Sequence, residues 1–97
     1  MLYAVLFQDD PTKADTRPQH MPAHLAFLEK NARHILAAGP LSDERGQGAG
    51  GLWLVEAESH AAVDALVQAD PFWPTGLRKS VRILAWKQVF AEGKRRI

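Results

Sequence analysis

Apolar residues recur in this chain with two different periods, and the order of these periods limits the possible folds. Compact apolar runs at 2–7, 34–38 and 51–56 and a longer alternating stretch at 80–90 indicate four β-strands. Apolar residues at helical spacing lie in two further segments, 22–33 and 61–69. The order β-α-β-β-α-β predicts an α+β, ferredoxin-like split βαβ fold, with an antiparallel sheet and both helices on one face.

Proline and glycine residues predict where several elements end. Pro22 suits the first turn of a helix, so that 9–19 is expected to be a connecting loop. The pair Gly39-Pro40 is expected to stop the second strand, and the glycine-rich stretch 46–51 to form a flexible hairpin before the third.

The second helix has a signal at each end. Ser59 is a candidate N-cap, and Pro71 ends the helix because it forces the preceding Asp70 away from helical dihedrals. The final strand is expected to run to Phe90, followed by a solvated charged end at Lys94-Arg95-Arg96.

Composition narrows the classes of partner. The 97 residues predict one domain, 1–97, with one core and one site. A net charge of +1 provides no long-range field for nucleic acid or an anionic membrane, so neither is expected as a partner. No apolar run approaches the ~20 residues that cross a bilayer, and the opening residues lack a basic leader, which favours a cytoplasmic location. The absence of cysteine excludes thiol chemistry.

The strands are apolar on both faces, although only one face is covered by helices in the predicted fold. In the third strand, Leu52 and Leu54 alternate with Trp53 and Val55. A solvated face would carry polar residues instead. The sequence therefore predicts a homodimer in which a second copy covers the open face of the sheet.

A carboxylate breaks the apolar stripe of the second helix. Asp70 continues the helical spacing of Val63, Leu66 and Val67, at the end where the helix dipole is negative. Such a placement needs a partner, and His24 borders the apolar face of the first helix. A His24–Asp70 pair is suited to proton transfer, because the carboxylate fixes the imidazole tautomer and raises its basicity.

With these residues placed, the chain resembles the YciI-like family, small ferredoxin-like proteins related to the dimeric α+β barrels. The resemblance covers nearly the whole chain, and it rests on several short motifs in order: Gln8-Asp9, Ala23-His24-Leu25-Ala26, Leu36-Ala37-Ala38-Gly39-Pro40-Leu41 and Asp70-Pro71-Phe72 with Gly76. The family implies a dimer and a site centred on His24 and Asp70. Related proteins include a dehydrochlorinase and, more distantly, muconolactone isomerases, which implies isomerisation or elimination on a small organic acid or lactone.

The chain departs from the family at one position near the site. Some members carry an arginine three residues before the histidine, where this chain has Met21, and the nearest arginine is Arg17 in the predicted loop. Five further residues are predicted to contact a small-molecule ligand: Gly39, Pro40, Ser42, Phe72 and Trp73.

Alternative interpretations remain open for these residues. His24 and Asp70 also fit a buried structural hydrogen bond in a non-catalytic module that binds a small ligand or a partner. Gly39-Pro40 also fits a simple strand end. His20 and His24 have a spacing compatible with a metal, but no third ligand is evident, so no metal or other cofactor is expected.

Overall fold

The computed structural model describes residues 1–97, and its main elements follow the predicted order. The sheet contains β1 (Leu2–Asp9), β2 (Ile35–Ser42), β3 (Gly48–Glu56) and β4 (Arg78–Ala85), and the helices are α1 (Thr16–Lys30) and α2 (His60–Ala69). Two 3₁₀ turns, Pro11–Lys13 and Trp73–Thr75, precede α1 and β4, and a hairpin of β5 (Phe90–Ala91) and β6 (Lys94–Arg95) follows β4.

The four long strands form one sheet in the order β2-β3-β1-β4, and every neighbouring pair is antiparallel. One face of the sheet is buried under both helices. Its core cluster joins β1, β2, β3 and α2, and α1 packs against it; the members are Tyr3, Val5, Phe7, Ile35, Trp53, Val55, Ala57, Val63 and Val67, with Phe27 and Leu28 of α1. The predicted ferredoxin-like α+β fold is confirmed.

The predicted start of α1 was wrong, because the helix begins at Thr16 and contains Pro22 in its interior. Proline lacks the N–H that bonds to the carbonyl four residues earlier, and packing of the helix against the sheet compensates for this loss. The 9–19 segment is ordered by short-range bonds rather than forming an irregular loop. The Asp10 side chain accepts from the Thr12 N–H at 2.9 Å, and the Thr16 hydroxyl donates to the Lys13 carbonyl at 2.7 Å.

The prediction that Gly39 and Pro40 stop the second strand was wrong, because both residues lie within β2. An edge strand tolerates proline because one of its sides lacks a ladder partner, and β2 is an edge of this sheet. The pairing with β3 shifts register on either side of this segment.

The glycine-rich stretch is mostly strand, because β3 already begins at Gly48. The hairpin loop is closed instead by Asp43, whose Oδ1 accepts from the backbone N–H of Arg45 and of Gln47. Gly50 is required in the strand, because its φ is +96° and a Cβ there would lie 1.9 Å from the carbonyl oxygen of Phe7.

The last strand is shorter than predicted, since β4 ends at Ala85 and the following residues turn into the β5–β6 hairpin. The hairpin turn uses Glu92 and Gly93, both at positive φ, as tight β-turns of this kind require. Lys94 and Arg95 consequently belong to β6 rather than to a free tail.

The predicted ends of α2 are confirmed. The Ser59 hydroxyl accepts from the Ala62 N–H at 3.1 Å, and Asp70 has extended dihedrals (φ −67°, ψ 135°) directly before Pro71. Neither α1 nor α2 has the length and apolar character that a membrane-crossing helix needs.

Candidate active site

His24 and Asp70 meet beneath α1. His24 Nδ1 lies 3.0 Å from both carboxylate oxygens of Asp70, although 46 residues separate the two in the chain. His24 is placed there because α1 turns this part of its surface towards the sheet, and Asp70 because Pro71 ends α2 immediately after it. The acceptor carboxylate indicates the tautomer in which Nδ1 carries the hydrogen.

Asp70 is sealed from solvent, and three groups compensate for its burial. Its side chain has no exposed surface. Besides His24, the backbone N–H of Phe72 donates to Oδ1 at 3.0 Å, and Nη1 of Arg78 forms an ion pair with Oδ2 at 2.8 Å. Arg78 Nη1 and Asp70 Oδ2 are both sealed from solvent, so their charges act on each other with little screening by water.

These contacts determine the ionisation of Asp70. Burial raises the pKa of Asp70, but the hydrogen bonds from His24 and Phe72 and the charge of Arg78 outweigh burial and hold that pKa below its ordinary value. Asp70 is therefore a carboxylate at neutral pH. It can stabilise a positive charge that forms on the imidazole of His24.

The opposite side of the His24 ring borders an open space. Nδ1 is occupied by Asp70, whereas Nε2 makes no hydrogen bond within the chain and is not sealed off. The ring of Phe72 packs against the imidazole with a centroid distance of 4.6 Å and holds its orientation. His24 consequently presents a free nitrogen to the cavity that it lines.

The cavity lies between α1 and the end of the sheet where β1 and β2 finish and β3 and β4 begin. Its volume is about 120 Å³, which suits a small molecule. All four long strands and α1 contribute to its wall, which is lined by Phe7, Asp9, Arg17, Met21, His24, Leu25, Leu28, Ala38, Gly39, Pro40, Gly51, Trp53 and Arg78. Asp70 is absent from this wall and lies behind His24 and Arg78, which both contact it.

Arg78 is a member of the site that the sequence analysis did not identify. Its side chain is 7% exposed and lies over the ring of Phe7, with the guanidinium carbon 4.1 Å from the ring centroid. The β1–β4 pairing skips from Ser80 to Arg78 against consecutive residues of β1, so Lys79 is an extra residue in β4. This bulge turns Arg78 to the helix-covered face, together with Val81.

A second arginine, Arg17, lines the same cavity. It lies in the first turn of α1, two helical turns before His24 and on the same side, and it pairs with the Asp9 carboxylate. Arg17 and Asp9 also line a wider neighbouring hollow with Lys79, which makes their pair the boundary between the two spaces.

The five predicted ligand contacts divide into two groups. Gly39 and Pro40 line the cavity, as part of β2 rather than as a turn. Ser42 lies beyond the register shift of β2 and is exposed, Trp73 is 40% exposed on the 3₁₀ turn, and Phe72 is fully buried behind His24. None of these three lines the cavity, so the end of α2 does not form its wall.

His20 takes no part in a metal-like cluster. It lies within α1, where its Nδ1 is 3.0 Å from the carbonyl oxygen of Thr16. No group of three or more histidine and carboxylate side chains comes together at a distance that would hold an ion.

The antiparallel sheet and the two helices on one of its faces make this chain an α+β protein of the ferredoxin-like class. Its buried His24–Asp70 pair lies beside a small cavity. Within that class, the chain belongs to the family of the YCII-related domain, whose model matches residues 1–87.

Relatives and a solved structure agree with this assignment. The chain is 34% identical over 98 residues to Protein YciI of Escherichia coli O6:H1, covering 93% of this chain and all of that protein, and equally to Protein YciI of Shigella flexneri. It is similar in structure to 5-chloro-2-hydroxyhydroquinone dehydrochlorinase (TftG) from Burkholderia phenoliruptrix AC1100, solved with 2,5-dihydroxybenzoquinone. The TM-score is 0.76 at 30% identity, and the match covers 90% of this chain and 94% of that chain.

Proposed function

We propose that this protein is an enzyme that moves a proton at a carbon next to a carbonyl group, in an isomerisation or an elimination. The observation that carries the proposal is the orientation of His24, with Nδ1 on the buried carboxylate of Asp70 and Nε2 free at the cavity. A histidine held in this way is suited to act as general base and then as general acid.

In the proposed reaction His24 moves the proton and Asp70 stabilises the charge that forms on His24. Neutral His24 accepts a proton from the substrate carbon at Nε2, and the C–H electron pair moves towards the carbonyl to form an enolate. The imidazolium keeps its Nδ1–H on Asp70, whose negative charge stabilises the positive ring. The proton then returns to a different carbon in an isomerisation, or the electron pair expels a leaving group such as chloride in an elimination.

The substrate class that the family resemblance implies is a small organic acid or lactone. The structural neighbour is a dehydrochlorinase bound to a compact ring compound that carries carbonyl groups. The wall of the cavity beside His24 combines apolar side chains with a few charged ones, as small-molecule sites do.

The test is turnover by the purified protein of small lactones, unsaturated organic acids and 5-chloro-2-hydroxyhydroquinone. We expect His24→Ala to lower kcat at least about a hundredfold, since general acid–base catalysis contributes on this scale. His60→Ala is the matched control, because His60 is exposed at the start of α2 and lies outside the cavity. Full turnover by His24→Ala, or no turnover of any of these compounds by the wild type, contradicts the proposal.

A second candidate function is a non-catalytic module that binds a small ligand. It is favoured by the complete burial of Asp70 and its ion pair with Arg78, which together also make a structural cluster. Saturable binding of a small acid that is never converted, with equal affinity in the wild type and in His24→Ala, is the result expected of this module.

The protein is proposed to act as a homodimer through the open face of the sheet. This face carries rows of apolar side chains, with Leu54, Ala4 and Leu84 side by side across β3, β1 and β4. Leu84 is 40% exposed and Leu54 half-buried in the single chain, and a second copy would cover both.

Light scattering after size-exclusion chromatography tests the dimer. We expect twice the mass of the chain for the wild type and a shift towards the single-chain mass for Leu54→Lys. Ala65→Lys on the exposed side of α2 is the control and leaves the mass unchanged. A wild type that elutes with the mass of one chain at micromolar concentration contradicts the dimer.

A further inference from the structure

Arg78 has hydrogen-bond donors that the protein leaves unused. A guanidinium carries five N–H groups, yet the one close polar contact of the Arg78 guanidinium is that of Nη1 with Asp70 Oδ2. Only Nη1 is sealed; Nε and Nη2 keep access to open space, and Arg78 lines the cavity. A ligand oxygen in the cavity can therefore accept from Nε or Nη2 without breaking a hydrogen bond within the chain.

The surroundings of Arg78 hold its guanidinium rigidly. The guanidinium carbon is 4.1 Å from the ring centroid of Phe7, 5.1 Å from that of Trp53 and 5.5 Å from that of Phe72. Three aromatic faces stabilise the cation and leave it little freedom to turn away. The unused donors are therefore preorganised at one place in the wall.

The charges that line the cavity favour an anion. Two arginines, Arg17 and Arg78, and one carboxylate, Asp9, contribute to the wall, whereas Asp70 lies behind it. Arg17 is already paired with Asp9. The negative charge of Asp70 is shared among His24, the Phe72 N–H and Arg78, so Asp70 is not reserved for Arg78 alone.

We infer that Arg78 is a substrate-binding residue, which holds an anionic oxygen of the substrate, a carboxylate or an enolate, while His24 moves the proton. Asp70 positions both, because His24 Nδ1 and Arg78 Nη1 lie within 3.0 Å of the same carboxylate. The inference rests on the proposed function and narrows it. The substrate carries a negative oxygen in or conjugated to the reacting group, and Arg78 stabilises the charge that grows there when the proton leaves.

The experiment is calorimetric titration with two ring compounds of similar shape. The probe 2,5-dihydroxybenzoquinone is anionic at neutral pH, because its hydroxyl groups are vinylogous acids, whereas hydroquinone is smaller and neutral. We expect Arg78→Gln to weaken binding of the anionic probe at least about tenfold, the scale of one charge-assisted hydrogen bond. Binding of hydroquinone should change less than about twofold.

Two further variants keep the test valid if Arg78→Gln folds poorly. Arg78→Lys retains the charge and is expected to recover part of the affinity for the anionic probe. The double variant Asp70→Asn/Arg78→Gln removes both buried charges, and it is expected to lose the same affinity as Arg78→Gln. Arg82→Gln is the control, since Arg82 lies on the same strand but is exposed and pairs with Leu6 outside the cavity.

Three results overturn the inference: equal losses for both probes, a larger loss in Arg17→Gln than in Arg78→Gln, and no binding of the anionic probe by the wild type at millimolar concentration. Failure of the proposed function looks different. In that case the wild type binds the anionic probe in an Arg78-dependent manner, yet converts none of the candidate substrates.

Discussion

Replacing Asp70 by asparagine is expected to lower the free energy of unfolding by about 3 kcal/mol, near the lower end of the range for breaking a buried ion pair. The carboxylate has no exposed surface, and Arg78 lies 2.8 Å from its Oδ2 with 7% of its own side chain exposed. Asparagine has the same shape and can still accept from the Phe72 N–H, so one contact survives. It cannot neutralise Arg78, and its amide N–H₂ faces a donor.

The lower end of that range applies because Arg78 keeps contact with the cavity, where water can solvate its charge in part. A loss of about 3 kcal/mol is a large fraction of the 5–15 kcal/mol that stabilise a typical domain, and it remains compatible with a folded variant. Urea unfolding followed by tryptophan fluorescence and far-ultraviolet circular dichroism measures it.

Asp64→Asn serves as the matched control, because the Asp64 carboxylate lies on α2 and accepts an exposed hydrogen bond from Gln68. It should change stability by less than about 0.5 kcal/mol. The double variant Asp70→Asn/Arg78→Gln should be more stable than the sum of its single variants predicts, since no unpaired charge remains. A loss below about 1 kcal/mol for Asp70→Asn, or strict additivity in the double variant, refutes the buried ion pair as a source of stability.

Three further predictions concern stability. The pKa of Asp70 is lowered in the fold, so its contribution to the unfolding free energy is complete above the unfolded pKa of about 4 and is lost as pH falls through the lower folded pKa. Urea midpoints measured from pH 7 to pH 2 should therefore fall less steeply in Asp70→Asn than in the wild type. Ser59→Ala should lower the unfolding free energy by about 1 kcal/mol in urea titrations, because the Ala62 N–H loses its cap, and an unchanged midpoint contradicts that role. Gly50→Ala should lower the unfolding free energy by more than about 2 kcal/mol, because its Cβ would clash with the Phe7 carbonyl oxygen. Gly48→Ala is the control and should change the unfolding free energy little, since space at its Cβ is open. Equal losses in the two variants refute the steric argument.

Local rules were sufficient for α2 and for one half of the site. Ser59 and Pro71 act within a few residues of their own positions, so both ends of the helix follow from the sequence. Asp70 is a carboxylate on the apolar side of a helix, so the sequence predicted that it needs a partner. The contact with His24 supplies one. Whether the pair performs catalysis is a question for the turnover measurements.

The same local rules did not predict the start of α1, because a proline in this segment is compatible with two different helix starts. Pro22 fits the first turn of a helix as well as an interior position that packing supports. The bonds that order the preceding segment, through Asp10 and Thr16, involve common polar residues that carry no distinctive pattern. For a similar reason Gly39-Pro40 indicated a strand end, although an edge strand accommodates the pair.

By itself, the sequence determined the order of strands and helices along the chain and both ends of α2. These features depend on residue type and on periods of two and 3.6, which are local properties. Only the tertiary structure decided that Arg78 completes the site. The strict alternation of Val81 and Ile83 would put position 78 on the opposite face, and the extra residue at Lys79 reverses that phase. Bulges and register arise from pairing between distant strands, so no local pattern specifies them.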